Sequence, residues 1–196
     1  GIPEPYKRYH QYPFEFSGGM RQRAALLRTY LASDGVALLD EPFSGFDPIN
    51  TNLLKSELLN LKKEGTTIIL STHNMASVEE ICDEIALINN SKKILEGELF
   101  EVKNRFKKHI YAVEVAGQNA QLRSSLSHRF EVLELVEKLH TTGATVRIPE
   151  GLTVKDLLDD VMNCGTLIAF NEILPTMNEI FIEQVETFNH QNNEQK

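Results

Sequence analysis

The 196-residue sequence has few cysteines, no long apolar run and no excess of positive charge. Its two cysteines, Cys82 and Cys164, form no Cys-x-x-Cys motif, which argues against the disulfide framework of a small secreted protein. Apolar runs such as residues 36–39 fall far short of the roughly 20 residues that cross a bilayer. The 28 acidic and 20 basic side chains give a net charge of −8, which argues against a general nucleic-acid coat.

The first half of the sequence alternates short apolar runs with helical patterns. Strands are predicted over residues 36–39, 66–70, 84–88 and 94–95, and continuous runs of this kind are typical of strands buried on both faces. Helices are predicted over residues 17–32, from Asp47-Pro48 to Gly65, and over residues 75–83. This alternation predicts an α/β fold with a mostly parallel sheet over residues 1–106.

The composition changes at a basic, polar junction near residues 104–109. Beyond it, the predicted order is strand, helix, strand, strand, helix, strand, helix, which is typical of a small ferredoxin-like α+β domain. We place this domain at residues 107–188 and its hairpin turn at Thr142-Gly143. The polar residues 189–196 are predicted to form a disordered tail.

Two segments of the first half carry side chains and backbone groups suited to phosphate chemistry. Ser17, Gly18 and Gly19 open a predicted helix, where uncovered N–H groups and the helix dipole favour an anion. A turn that only caps the helix is the alternative. Asp40 and Glu41 end an apolar strand, so one carboxylate can hold Mg²⁺ while the other faces an attacking water. A solvated strand end is the alternative there.

Two further residues have an ordinary structural interpretation beside a functional one. Asp47 precedes Pro48 and can simply cap the next helix. His73 follows a predicted strand, where ligands bind in open α/β sheets, although a single histidine is more often structural.

Taken together, four segments in this order resemble motifs of the ATP-binding cassette (ABC) transport ATPases. Phe16-Ser17-Gly18-Gly19-Met20-Arg21-Gln22-Arg23 looks like the signature motif, and residues 36–42 (VALLDEP) look like the Walker B strand. Residues 44–47 (SGFD) and 71–74 (STHN) look like the D-loop and the H-loop. The resemblance covers residues 12–97 and implies a P-loop NTPase-like fold that binds ATP and Mg²⁺.

The resemblance also implies a role for each matching residue. Glu41 would orient or deprotonate the attacking water, His73 would contact the γ-phosphate, and Asp40 would hold Mg²⁺. Asp47 would communicate across the interface with a second nucleotide-binding subunit in a head-to-tail dimer. The signature residues would contact ATP bound mainly by that partner subunit: Ser17, Gly18, Gly19 and Met20, the last in place of the more usual glutamine.

The matching chain departs from the family at one motif. No glycine in the sequence is followed by lysine, so the 196 residues contain no Gly-x-x-x-x-Gly-Lys-Ser/Thr phosphate loop. The sequence also begins without methionine. We therefore expect the C-terminal half of a nucleotide-binding domain, inactive by itself, joined to an accessory domain.

Residues 97–182 resemble the accessory domain of a group of bacterial ABC exporter ATPases. This implies an ATPase subunit of an exporter, peripheral on the cytoplasmic face of the inner membrane, with transmembrane permease partners and no nucleic acid. Two alternatives stay open: an ABC-type ATPase that acts on nucleic acid or the ribosome, and a non-catalytic regulatory fragment. Residues 12–43 look more like importers and later residues more like exporters, so a natural mosaic or an assembly join is also open.

Overall fold

A computed structural model describes residues 35–117 and 121–193. Packing divides the chain into two compact units between Cys82 and Asp83. The first unit contains β1 (Val36–Asp40), α1 (Pro48–Lys63), β2 (Thr67–Ser71) and α2 (Met75–Ile81). The second contains β3 (Glu84–Asn89), β4 (Lys92–Glu98), α3 (Leu99–Arg105), β5 (Ile110–Ala116), α4 (Gln121–Ser127), β6 (Glu131–Glu137), β7 (Thr141–Arg147), α5 (Val154–Cys164), β8 (Leu167–Ile173) and α6 (Met177–Asn193). The boundary predicted at residues 106 and 107 lies further along the chain and stays a prediction.

The first unit is built on two parallel strands connected through α1. β1 and β2 run in register from Val36 opposite Thr67 to Asp40 opposite Ser71. Leu54 and Leu58 of α1 are buried in a cluster that also holds Phe43 and Ile81. Because both strands run the same way, their carboxyl ends lie side by side at one edge of the sheet.

Only one face of this strand pair is covered by the described residues. Side chains alternate along a strand, and α1 packs on the face that carries Leu39 and Leu70. Leu38 and Ile69 point to the other face and are 67% and 57% exposed. The expectation that these strands are buried on both faces is therefore not met within residues 35–117 and 121–193.

The third and fourth strands open the second unit as a hairpin. β3 and β4 pair with each other in an antiparallel hairpin. Asn90 and Ser91 form its turn with φ values of 48° and 60°, the left-handed conformation that two-residue hairpin turns require. The two-residue turn reverses the chain, so these two strands pair antiparallel, whereas β1 and β2 form a parallel pair as the sequence predicts.

The ferredoxin-like order predicted for the C-terminal domain is confirmed. The sheet order is β6-β7-β5-β8, and every neighbouring pair is antiparallel. α4 and α5 cover one face of the sheet. The core between them consists mainly of aliphatic side chains, including Val113, Val115, Leu122, Leu126, Val146, Leu157 and Val161.

The hairpin turn between β6 and β7 lies earlier than predicted. The N–H of Lys138 donates to the carbonyl of Thr141 at 2.8 Å, which closes the turn before residue 141. Thr142 is fully buried and its hydroxyl donates to the carbonyl of Gly117 at 2.9 Å. Gly143 lies within β7, opposite Glu114 of β5. The prediction of a turn at Thr142-Gly143 is wrong because tertiary pairing outweighs the local preference of glycine for turns.

The C-terminal helix is longer than expected. α6 continues to Asn193, so residues 189–193 of the predicted disordered tail are helical, and residues 194–196 lie outside the described range. Met177 and Ile180 are buried near the start of the helix. The ammonium group of Lys92 lies 5.7 Å from the ring centroid of Phe188, which ties the later turns of the helix to the end of the β3–β4 hairpin.

The start of α5 is closed by a capping box that should make stability depend on pH. Asp156 and Thr153 exchange hydrogen bonds, and Arg129 lies 3.0 Å from the Asp156 carboxylate. The Thr153 hydroxyl, helped by the Thr153 N–H and Arg129, lowers the pKa of Asp156 below its ordinary value of 3.8. The ionised carboxylate therefore stabilises the fold above that value, and the contribution is lost as pH falls through the lower, folded pKa.

We expect Asp156→Asn to lower the thermal unfolding midpoint by a few degrees at neutral pH, because a cap contact and an ion pair are both weakened. The difference from wild type should shrink as pH falls from about 7 to about 3. Circular dichroism melts at several pH values measure it. Asp159→Asn, an exposed change on the same helix, is the control, and a pH-independent difference for Asp156→Asn would contradict the prediction.

Candidate functional site

The predicted site residues Asp40, Glu41 and His73 lie together at the carboxyl edge of the β1–β2 pair. The in-register pairing places Asp40 opposite Ser71. The hydroxyl of Ser71 donates to Oδ1 of Asp40. One residue from each strand end thus brings the predicted metal-binding carboxylate beside a hydroxyl group.

The chain bends sharply at Glu41, directly after β1. Glu41 has φ of 41°, in the left-handed region that side chains other than glycine rarely adopt. Its N–H donates to the carbonyl of Ser71 at 2.9 Å, so the bend keeps the chain tied to β2. Backbone conformations of this kind cluster at functional sites, where the surrounding contacts hold them.

The Glu41 carboxylate is held by two consecutive residues of the neighbouring chain segment. Oε1 accepts the N–H of His73 at 2.9 Å and lies 2.6 Å from the Nδ1 atom of the same residue. Oε2 accepts the hydroxyl of Thr72 at 3.1 Å. The contact with the His73 ring is the main cause that lowers the pKa of Glu41, with help from the His73 N–H and Thr72. Glu41 is therefore ionised at neutral pH.

His73 combines a fixed backbone with an exposed ring. Its side chain is 87% exposed, although Nδ1 contacts Glu41. A ring in this position can hold the carboxylate and still face a ligand at the edge of the sheet. The arrangement places an ionised carboxylate, a second carboxylate and an imidazole within one short edge.

Comparison with known proteins identifies relatives for both parts of the chain. Residues 97–185 match the family described as ATP-binding protein DrrA1-3-like, C-terminal domain. Residues 4–79 match a family described as AAA domain, putative AbiEii toxin, Type IV TA system.

Three curated relatives are named as ATP-binding proteins, two of them of ABC transporters and one of Nod factor export. An uncharacterized ABC transporter ATP-binding protein of Alkalihalophilus pseudofirmus is 31% identical over 88% of this chain and 62% of its own length. YhaQ of Bacillus subtilis, another such protein, is 30% identical over 87% of this chain and 55% of its own length. The Nod factor export ATP-binding protein I of Ralstonia nicotianae is 40% identical over 44% of this chain and 27% of its own length.

This chain belongs to the ABC ATPases. It spans little more than half the length of the first two relatives. The resemblance drawn from the four sequence motifs is thereby confirmed at the level of the family. None of the helices within residues 35–117 and 121–193 has the length and hydrophobicity that a membrane-spanning segment requires.

Asp47 of the ABC ATPase caps α1. Its Oδ1 atom accepts the N–H groups of Ile49 and Asn50, each at 3.0 Å. The Asn50 N–H is the main cause that lowers the pKa of Asp47. The capping interpretation is confirmed, and the proposed role of Asp47 across a dimer interface stays a prediction.

The other nucleotide-binding residues predicted from the signature motif fall outside the described range. They are Ser17, Gly18, Gly19 and Met20. Their contact with the γ-phosphate stays a prediction. The site described here is therefore the Walker B and H-loop side of an ABC ATPase.

The donor atoms at the strand ends suit Mg²⁺. Asp40 is exposed and offers carboxylate oxygens beside the Ser71 hydroxyl, and Mg²⁺ prefers oxygen ligands, often one or two carboxylates completed by water and phosphate. Among the described residues, no three or more His, Cys, Asp and Glu side chains gather into a group that could hold a metal ion. Asp40 is thus the residue of this edge that fits the predicted metal role.

Two residues at this edge were not singled out from the sequence: Ser71 and Thr72. The sequence interpretation treated residues 71–74 as one motif and assigned chemistry only to His73. The parallel register decides which hydroxyl meets which carboxylate, and periodicity alone does not specify that register. Their position directly before His73 was the available signal.

Proposed function

We propose that this chain is part of the ATP-hydrolysing subunit of a bacterial ABC transporter that exports its substrate. The observation that carries the proposal is the pair of carboxylates, Asp40 and Glu41, held side by side by β2 with His73 on the Glu41 carboxylate. Export is supported by the printed name of the relative from Ralstonia nicotianae, a Nod factor export ATP-binding protein.

The chemistry of the proposed site follows from the environment of Glu41. A carboxylate with a lowered pKa is a weak base, so Glu41 suits orienting and polarising a water for attack on the γ-phosphate. His73 holds Glu41 through its backbone N–H and its Nδ1 atom. In the imidazolium form, in which both ring nitrogens carry a proton, the exposed ring can also donate to a phosphate oxygen. Mg²⁺, when bound by Asp40, supplies positive charge that neutralises the phosphates.

The proposed assembly is a head-to-tail dimer of nucleotide-binding subunits. The signature residues Ser17, Gly18 and Gly19 of one subunit would contact the phosphate of an ATP held mainly by the other, because uncovered N–H groups at a helix start favour anions. Closing of this dimer around ATP would drive transmembrane permease subunits, with the ATPase on the cytoplasmic face of the membrane. The 196-residue chain contains no phosphate-loop lysine, so we propose that it does not turn over ATP alone.

The test compares the 196-residue chain with the full-length gene product purified from membranes. We expect the full-length protein to co-purify with a membrane-spanning partner and to hydrolyse ATP in a Mg²⁺-dependent manner, and the 196-residue chain to show no turnover. Co-purification with RNA or DNA in place of a membrane protein would contradict the transporter assignment. Sustained turnover by the 196-residue chain that Glu41→Gln abolishes would contradict the proposed inactivity.

A further inference from the structure

Two adjacent hydroxyl groups at the end of β2 contact two adjacent carboxylates at the end of β1. Ser71 donates to Asp40, and Thr72 donates to Glu41. We infer that Ser71 and Thr72 are positioning residues, one for each acid: Ser71 orients the metal-binding carboxylate, and Thr72 orients the carboxylate that faces the attacking water. This inference rests on the proposed function.

The separation of the two roles follows from strand geometry. Successive side chains on a strand point to opposite faces, and Asp40 lies directly opposite Ser71 in the parallel pair. The bend at Glu41 then carries its carboxylate to the residues after β2, Thr72 and His73. Each hydroxyl therefore meets a different acid, and loss of one should leave the other contact in place.

The proton of the Thr72 hydroxyl has a defined direction. Thr72 Oγ1 accepts the N–H of Asn74 at 3.1 Å and lies 3.1 Å from Oε2 of Glu41. A hydroxyl has one proton, and an N–H cannot accept it, so the proton points to Glu41. Asn74 in turn caps α2 by accepting the N–H of Ser77 at 3.1 Å. Thr72 thereby connects Glu41 to the fixed start of a helix.

The contact of Ser71 uses one oxygen of Asp40. The hydroxyl donates to Oδ1, and within the described residues Oδ2 accepts no side-chain hydrogen bond. A hydrogen bond to one carboxylate oxygen restricts rotation of the group and leaves the other oxygen available to a cation. Removal of a side chain that hydrogen-bonds to a metal ligand typically lowers the metal affinity by about 10- to 100-fold.

The experiment uses the full-length gene product in its transporter complex, with two readouts. Mn²⁺ affinity is measured by electron paramagnetic resonance in the presence of a non-hydrolysable ATP analogue, and kcat and KM are measured with ATP. We expect Ser71→Ala to raise the Kd for Mn²⁺ by about tenfold. We expect Thr72→Val to lower kcat by about tenfold, with less than about a twofold change in the Kd for Mn²⁺.

Conservative variants and a distant control distinguish the loss of a positioning hydrogen bond from a general loss of packing. Ser71→Thr and Thr72→Ser keep each hydroxyl and should recover most of each effect. Ser56→Ala removes an exposed hydroxyl of α1 that donates to the carbonyl of Asn52, and it should change neither readout. Equal losses in the conservative variants and in Ser71→Ala or Thr72→Val would show a packing role and overturn the inference.

The outcomes also separate this inference from the proposed function. Wild type that binds Mn²⁺ with the ATP analogue and hydrolyses ATP, with both hydroxyl-free variants unchanged, would overturn the inference and leave the ATPase assignment intact. Wild type that neither binds Mn²⁺ with nucleotide nor hydrolyses ATP would overturn both.

Discussion

Replacement of Glu41 by glutamine is expected to lower kcat for ATP hydrolysis by the full-length protein by about 10²- to 10³-fold. Glutamine keeps the shape of the side chain and an oxygen that can accept the His73 N–H, but it carries no negative charge with which to orient and polarise the attacking water. ATP binding should persist, so the variant should retain ATP for longer than wild type. Single-turnover phosphate release and nucleotide retention after rapid gel filtration measure the two effects.

Two further variants make this expectation specific to the site. Glu150→Gln, an exposed change in a loop of the second unit, should hydrolyse ATP like wild type. His73→Ala should also slow hydrolysis, and its effect should combine less than additively with Glu41→Gln, because the ring and the carboxylate are in direct contact at 2.6 Å. Wild-type turnover in both single variants would contradict the roles assigned to these residues.

Replacement of Leu157 by alanine is expected to lower the free energy of unfolding by ~3 kcal/mol. Leu157 lies on α5, is fully buried and belongs to the core between the helices and the sheet of the ferredoxin-like fold. Removal of its branched end loses apolar burial and leaves a cavity that the surrounding helices and strands fill only in part. Urea unfolding of the chain followed by far-ultraviolet circular dichroism measures the change.

The same helix supplies a matched control. Met162→Ala also shortens an apolar side chain of α5, but Met162 is 62% exposed, so the free energy of unfolding should change by less than about 0.5 kcal/mol. Equal destabilisation by the two variants would mean that α5 does not pack through the face that carries Leu157.

The local pattern of the sequence predicted the elements that form the candidate site. The apolar runs before Asp40 and before Ser71 are strands, and Asp47-Pro48 begins a helix with the aspartate as its cap. The predicted chemical residues Asp40, Glu41 and His73 all lie at one edge. These predictions succeed because strand and helix periods and capping preferences act over only a few residues.

Contacts between distant segments could not be predicted in the same way. The sequence predicted a turn at Thr142-Gly143, where the structure has the first part of a strand, and the alternation of strands and helices did not indicate that β3 and β4 pair antiparallel with each other. Glycine favours turns locally, but the hydrogen bonds of a sheet and the burial of Thr142 are worth more than that preference.

The sequence by itself determined which chemical groups are available: two adjacent carboxylates after one apolar run, and two hydroxyls and an imidazole after another. It also determined the family, through four motifs in a fixed order. Tertiary structure decided which of those groups meet, because only the parallel register places Ser71 beside Asp40 and carries Glu41 to Thr72 and His73. Register is set by pairing and burial along the whole strands, which no single motif contains.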